Sequence, residues 1–150
     1  PTVANVLQYY RKFSHGKHVS AAKVKLEEAA KDFVLSFYYN TSQSNDHALS
    51  FVQRIYADNV DFYGKPFTLS EVIKDKRRLF KRWPNRDYVG DANSIIATCN
   101  MSAETCEVSS HAYYSVYSPE RDHSGSGDQT TRFKIRMSEY GNKVYYENGD

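Results

Sequence analysis

The protein has 150 residues, of which 40% are hydrophobic and 25% are charged. This composition excludes a disordered or low-complexity chain, and no apolar run approaches the roughly 20 residues that a membrane-spanning helix needs. The net charge of +2 does not indicate a generally nucleic-acid-binding protein, and the length predicts one soluble globular domain.

The first 25 residues are basic, with five Lys or Arg side chains and no acidic one. Polar residues and a glycine cluster at residues 14–20, which is typical of a linker. We therefore predict a basic linker or N-terminal extension at residues 1–25 and a single domain at residues 26–150. A short helix around residues 3–13 is compatible with Val6, Leu7 and Tyr10, which fall on one side of it.

Apolar residues at helical spacing predict three helices in the domain. The first covers about residues 26–39, and the second begins at Asp46, a suitable N-cap, and ends near Tyr56. The third begins at Ser70, another N-cap residue, and is terminated by Pro84, which lacks the amide hydrogen that a helix needs.

The remaining segments predict a sheet. A short β-type stretch at residues 60–63 is followed by strands at about 87–99, 106–118, 129–139 and 143–147, with an exposed loop at 118–128. In the strand predicted at 129–139, alternation assigns one face to the core, with Thr131, Phe133, Ile135 and Met137. It assigns the other face to solvent, with Arg132, Lys134 and Arg136. Helices gathered on one face of a curved antiparallel sheet make an α+β fold.

The two cysteines, Cys99 and Cys106, flank a polar, turn-rich segment between two of the predicted strands. A disulfide across this turn is expected from their spacing, and it implies the periplasm or the cell exterior, where such bonds persist. The alternative is a pair of buried free thiols in a cytosolic protein.

Residues 56–64, Tyr-Ala-Asp-Asn-Val-Asp-Phe-Tyr-Gly, directly follow the second predicted helix. This stretch and the order of the elements resemble the nuclear transport factor 2-like superfamily, which includes ketosteroid isomerases and SnoaL-type cyclases. The segment from Asp75 to Pro84, together with Tyr88 and the cysteine hairpin, resembles small modules of alphaproteobacterial envelope and secreted proteins. The resemblance covers about residues 26–150 and implies a cone-shaped, cystatin-like fold with three helices on a curved sheet.

The resemblance does not extend to a catalytic pattern. The isomerases carry a carboxylate base on the first strand, where the nearest acid in this chain is Asp61, on the opposite side of the strand from Phe62. Tyr38 and Tyr56 lie near helical positions that would suit the family's tyrosine. We predict no catalytic residue, and we expect the pocket of the cone to be lined by Tyr38, Tyr56, Asp61, Lys76 and Trp83.

Metal and cofactor sites are not expected. The five histidines are scattered along the chain, and Gly125-Ser-Gly127 is not followed by a helix that would receive a phosphate. The sequence therefore predicts neither a metal nor a cofactor.

Lys76 lies in the middle of the apolar stripe of the third helix. A lysine at such a position needs an acidic partner or a wet cavity. One interpretation is an ion pair with Asp58 or Asp61, and the other is a cationic wall for an anionic or carbonyl-bearing ligand.

The outer side of the same helix is basic. We expect a surface patch that docks a polyanion or is simply solvated, formed by Lys74, Arg77, Arg78, Lys81, Arg82 and Arg86.

These observations favour a non-catalytic binding or accessory module of a bacterial envelope or secreted protein. The expected partner is a small anionic ligand, an acidic protein surface or an envelope polymer rather than nucleic acid, and the sheet is available for a homodimer. The alternative is an isomerase, cyclase or hydratase-like enzyme that works in the cone. A closed cone filled by Tyr and Phe would favour the module, whereas an open pocket in which a carboxylate and Lys76 converge would favour the enzyme.

Overall fold

A computed structural model describes residues 2–150. Four helices, one more than predicted, lie on one side of a curved sheet: α1 (Val3–Lys12), α2 (Val19–Thr41), α3 (Asn45–Ile55) and α4 (Leu69–Arg82). The predicted α+β architecture is confirmed.

The sheet contains seven strands: β1 (Tyr56–Phe62), β2 (Lys65–Thr68), β3 (Asn85–Gly90), β4 (Ile96–Asn100), β5 (Thr105–Ser118), β6 (His123–Arg136) and β7 (Lys143–Gly149). Their order is β2-β1-β7-β6-β5-β3, and β4 also pairs with β5. The pairing is antiparallel except between β1 and β7. The long β5–β6 hairpin forms the centre of the sheet, and the helices cover its concave face.

Two strand predictions are corrected. The segment predicted as one strand at 87–99 is divided into β3 and β4 by a short 3₁₀ turn at Ala92–Ser94, which the side chain of Asp91 caps. The segment predicted as a loop at 118–128 belongs mostly to β6, since Ser118 pairs with His123 across a tight turn. Continuous pairing with β5 overrides the weak strand propensity of its glycines and serines.

The alternation predicted for β6 is confirmed. Phe133, Ile135 and Met137 are buried under the helices, whereas Arg132 and Arg136 are exposed. The register of the strand is therefore set by its apolar face, as expected for a sheet with one covered side.

The ordered fold extends into the segment predicted as linker. Val6 and Leu7 of α1 belong to the core, and the guanidinium of Arg11 donates hydrogen bonds of 2.6 and 2.8 Å to Glu104 on the turn between β4 and β5. The predicted boundary at residue 26 lies inside α2, which begins at Val19.

The two cysteines form the predicted disulfide. Cys99 of β4 faces Cys106 of β5 in the strand register, with their Cα atoms 4.0 Å apart. None of the helices within residues 2–150 has the length and apolar character needed to cross a bilayer.

Helix α4 carries much of the site and is well specified locally. Thr68, rather than the predicted Ser70, is its N-cap, and Thr68 and Glu71 form a reciprocal capping box. Its buried face contains Val72, Ile73 and Phe80, with Lys76 between them, and the helix ends before Pro84.

Candidate functional site

A cavity of about 250 Å³ lies between the helices and the concave face of the sheet. Most of its wall is aromatic or aliphatic and includes Phe37, Tyr38, Phe80, Trp83 and Phe133. Its polar wall groups include Lys76, Gln129, Thr131 and Glu147. An apolar cavity with a few polar groups is the usual form of a small-molecule site.

Glu147 of β7 is the centre of a buried polar cluster and is only 2% exposed. Its carboxylate accepts hydrogen bonds from the hydroxyls of Tyr56 and Tyr63, the latter at 2.9 Å. The ammonium of Lys76 donates to the same carboxylate at 3.3 Å and forms an ion pair with it. Both oxygens of the carboxylate are therefore occupied by donors of the protein itself.

Burial and the nearby carboxylate of Glu147 keep the hydroxyls of Tyr56 and Tyr63 protonated. Burial raises the pKa of Tyr56 well above its ordinary value, and the negative charge of Glu147 raises it further. The same two causes, in the same order, raise the pKa of Tyr63. Both hydroxyls thus remain protonated and donate to the carboxylate at neutral pH.

An irregularity in β7 turns Glu147 into the cone. Ile135 pairs with Val144, but the next residue back along β6, Lys134, pairs with Tyr146, so β7 contains one extra residue at this point. Strict alternation from the buried Val144 would place residue 147 on the outer face. The bulge shifts the phase by one residue and places Glu147 beside Phe133 on the inner face.

Tyr63 reaches the cluster from the turn after β1 through an unusual backbone conformation. Its φ is +53°, a left-handed value that is uncommon for an aromatic residue. Its amide also donates to the carbonyl of Glu147 at 2.8 Å, so two hydrogen bonds to one residue hold this conformation. Backbone strain retained at such a place is typical of a functional site.

Lys76 points inward, but neither of its two predicted partners is correct. Asp58 and Asp61 are exposed on β1, and the partner is Glu147 instead. The Asp61 position in the predicted pocket is therefore wrong, because the alternation of β1 directs Phe62 inward and Asp61 outward. The ammonium also lies 5.3 Å from the ring centroid of Phe62 and 5.7 Å from that of Phe37.

The other predicted pocket residues lie at or next to the cavity. Tyr38 and Trp83 line it, and Tyr56 lies behind its wall, bonded to Glu147. The hydroxyl of Tyr38 is 2.7 Å from that of Ser110. Its ring packs so closely on Gly90 that a Cβ there would lie 2.8 Å from the ring, so only glycine fits.

Thr131 lines the cavity, but its hydroxyl is not exposed there. The Oγ1 atom is inaccessible to a water molecule and lies near the hydroxyl of Tyr38, and no hydrogen bond of normal geometry satisfies it within residues 2–150. An unsatisfied buried hydroxyl is costly, so Thr131 is a weak point of the wall rather than a contact for a ligand.

One member of the predicted basic patch is misplaced. Arg86 belongs to β3 and is buried, whereas Lys74, Arg77, Arg78, Lys81 and Arg82 are exposed on α4. Its guanidinium donates to the carbonyls of Thr41, Gln43 and Trp83 and to the side chain of Asn45. Carbonyls near helix C-termini attract a cation, and these hydrogen bonds offset its loss of water.

Several site residues are not evident from the sequence. Glu147 could not be found because its orientation depends on the bulge, and Tyr63 because its orientation depends on a left-handed turn. The prediction that Thr131 faces the core is confirmed. The alternation of β6 does not indicate, however, that a cavity lies beside this residue.

Comparisons with known proteins identify the fold. The sequence matches no protein-family model and no curated protein. By structure, the chain is similar to a nuclear transport factor 2-like superfamily protein from Salmonella enterica, with a TM-score of 0.65 and 8% identity over 82% of this chain and 91% of that one.

Two further solved structures are similar. One is an uncharacterized protein with a cystatin-like fold from Caulobacter vibrioides, with a TM-score of 0.60 and 9% identity over 81% of this chain and 87% of that one. The other is a candidate scytalone dehydratase from Novosphingobium aromaticivorans, with a TM-score of 0.65 and 8% identity over 82% and 80% of the two chains. At such identities the likeness establishes the fold alone.

Proposed function

Because the chain has the nuclear transport factor 2-like fold with a cavity at its centre, we propose that it is a module that binds a small, largely apolar molecule there. The observation that carries this proposal is the cavity of about 250 Å³ with its largely aromatic wall. An apolar cavity of about 150 Å³ holds benzene. The volume is therefore suited to a molecule of about two fused rings.

The proposed place of work is the envelope or the exterior of a bacterial cell. The disulfide between Cys99 and Cys106 supports it, because such bonds persist in oxidising compartments and are rare in the cytosol.

The hydrogen bonding of Glu147 supports binding rather than catalysis. A general base must offer a free lone pair to a substrate proton in a suitable position. Here three protein donors already surround the carboxylate. The cluster is thus a satisfied part of the wall.

A second candidate function is an isomerase, cyclase or hydratase-like activity in the cone. The distinction drawn from the sequence favours it, because the cavity is open and the carboxylate of Glu147 converges with Lys76 and Tyr63 on its wall. The likeness to a candidate scytalone dehydratase is compatible with this activity, but it concerns the fold.

The binding proposal is tested with 2-naphthol as a two-ring probe, followed by isothermal titration calorimetry. We expect binding to the intact chain and a loss of about tenfold or more in affinity for Val116→Phe, because the larger ring occupies part of the cavity that the probe needs. Val89→Phe, a change of the same type at an exposed position of β3, is the matched control and should bind like the unmodified chain. Absence of binding to the intact chain would contradict the proposal.

The two candidate functions are separated with 2-tetralone, a two-ring ketone with exchangeable hydrogens next to its carbonyl. A binding module should leave the exchange of these hydrogens with deuterated water at the rate in buffer. Exchange above that rate, lost in Glu147→Gln, would replace the binding proposal with the enzymatic one.

A further inference from the structure

The cavity has an opening between the C-terminal end of α4 and the β5–β6 hairpin. Three of the side chains that line it in this region, Trp83, Tyr114 and Gln129, are partly exposed. Tyr63, which bonds to Glu147, also lines the cavity and is 45% exposed. By contrast, Lys76, Phe133 and Glu147 are buried at the inner end.

Two guanidinium groups lie close to Trp83. The guanidinium of Arg121 lies 4.6 Å from its ring centroid, and that of Arg82 lies 5.6 Å away. Arg121 also donates a hydrogen bond of 2.8 Å to the carbonyl of Arg82, so it is anchored to the end of α4. The imidazole of His123 stacks near the same indole, with the ring centroids 6.1 Å apart.

No carboxylate neutralises this group of arginines in the part of the chain that the structure describes. Neither Arg82 nor Arg121 forms an ion pair, although Glu120 and Asp122 adjoin Arg121 in the sequence. Asp122 instead accepts a hydrogen bond from Tyr117. Behind the wall, the buried guanidinium of Arg86, which forms no ion pair with a described residue, lies 4.2 Å from the ring centroid of Phe80.

The inner end of the cavity has the opposite character. The charge of Lys76 is balanced by Glu147, which leaves no free cation at that end. An anionic group placed there would lose its hydration and face a carboxylate, which is unfavourable. The opening beside Trp83 therefore suits an anion better than the inner end does.

We infer that the ligand is a small aromatic acid that binds with its rings inside the cone and its anionic group at the opening, beside Arg121. This inference rests on the proposed function and specifies its ligand class. The apolar wall takes the rings, and the guanidinium of Arg121 takes the carboxylate in the planar geometry that Arg favours. The anionic ligand expected from the sequence therefore pairs with Arg121 instead of Lys76.

The test compares 2-naphthoate with 2-naphthamide, which has the same rings and no charge, by calorimetry at low ionic strength. We expect the acid to bind about three- to fivefold more tightly than the amide, as befits a partly exposed charge pair, and the preference to shrink in salt. Arg121→Gln should remove the preference, because it weakens the binding of the acid more than the binding of the amide.

Two further variants are controls, the first for the positive charge at residue 121 and the second for the general charge of the surface. Arg121→Lys keeps the charge and should keep most of the preference. Arg77→Gln removes one charge from the outer face of α4 and should leave both affinities unchanged.

The outcomes separate the two proposals. Equal binding of acid and amide, or a preference that survives Arg121→Gln, would overturn the aromatic-acid assignment and leave the binding module intact. Failure of the acid, the amide and 2-naphthol alike to bind would overturn both.

Discussion

At the scale of single residues, the buried pair of Lys76 and Glu147 determines how charge is tolerated inside the cone. The two side chains are almost fully buried, and each is the ionic partner of the other. Removal of one member of such a pair leaves an uncompensated buried charge, which costs far more than the loss of an exposed pair.

We predict that Lys76→Met lowers the free energy of unfolding by about 3 kcal/mol and that Lys76→Glu lowers it further. Methionine fills a similar volume, whereas glutamate puts a second negative charge against Glu147. Arg78→Glu on the exposed face of α4 is the control, with an expected change of about 0.5 kcal/mol or less. Urea unfolding measures all three.

The double variant Lys76→Met/Glu147→Gln should recover most of the stability lost in Lys76→Met. The glutamine has no charge to compensate, and its amide oxygen accepts from one of the two tyrosine hydroxyls while its NH2 group donates to the other. A double variant no more stable than Lys76→Met, or equal losses for Lys76→Glu and Arg78→Glu, would show that the pair does not carry this energy.

At the scale of elements, the β4–β5 hairpin combines a covalent link with a contact to the first helix. The disulfide of Cys99 and Cys106 closes the turn that carries Glu104, and Glu104 pairs with Arg11 of α1. The hydrogen bond from Arg11 is the main reason why the pKa of Glu104 lies below its ordinary value. The link thus holds the turn to which α1 is docked.

Thiol counting on the unreduced, denatured chain should find no free thiol. Reduction should lower the free energy of unfolding by about 2–3 kcal/mol, the chain-entropy value for a loop of this length. The variant Cys99→Ala/Cys106→Ala is the control, because its stability should not respond to reductant. Two free thiols in protein purified without reductant would contradict both the bond and the proposed compartment.

At the scale of the whole molecule, α1 belongs to the core. Leu7 is fully buried and lies in the same cluster as the side chains beneath α2. The basic charge of residues 1–25 and the polar residues and glycine at 14–20 predicted a linker. Neither feature shows whether a face of the preceding helix is buried in the core.

We predict that Leu7→Ala lowers the free energy of unfolding by about 2–5 kcal/mol, the range for a buried leucine. Val24→Ala is the control, since Val24 is 52% exposed on α2 and should change stability little. If calorimetry shows equal melting temperatures for the two variants, α1 is an appended extension and the predicted boundary at residue 26 stands.

Local physical chemistry made much of this protein predictable from its sequence. The inward turn of Lys76 follows from the apolar stripe of α4, and the facing pair of Cys99 and Cys106 follows from a turn between two strands. The buried side of β6 follows from its alternation of apolar and charged residues. Each of these features depends on periodicity within one element or on its immediate neighbour, and so the sequence contains it directly.

The site itself was decided by tertiary structure. One extra residue in β7 reverses the face of Glu147, and the left-handed turn at Tyr63 directs its hydroxyl to the same carboxylate. Arg86 turns inward because carbonyls of the distant α2–α3 connection, at Thr41 and Gln43, surround it together with that of Trp83. Arg121 meets Trp83 because pairing extends β5 and β6 through a predicted loop. These arrangements depend on contacts between residues far apart in the chain, and local periodicity carries no information about which distant groups will meet.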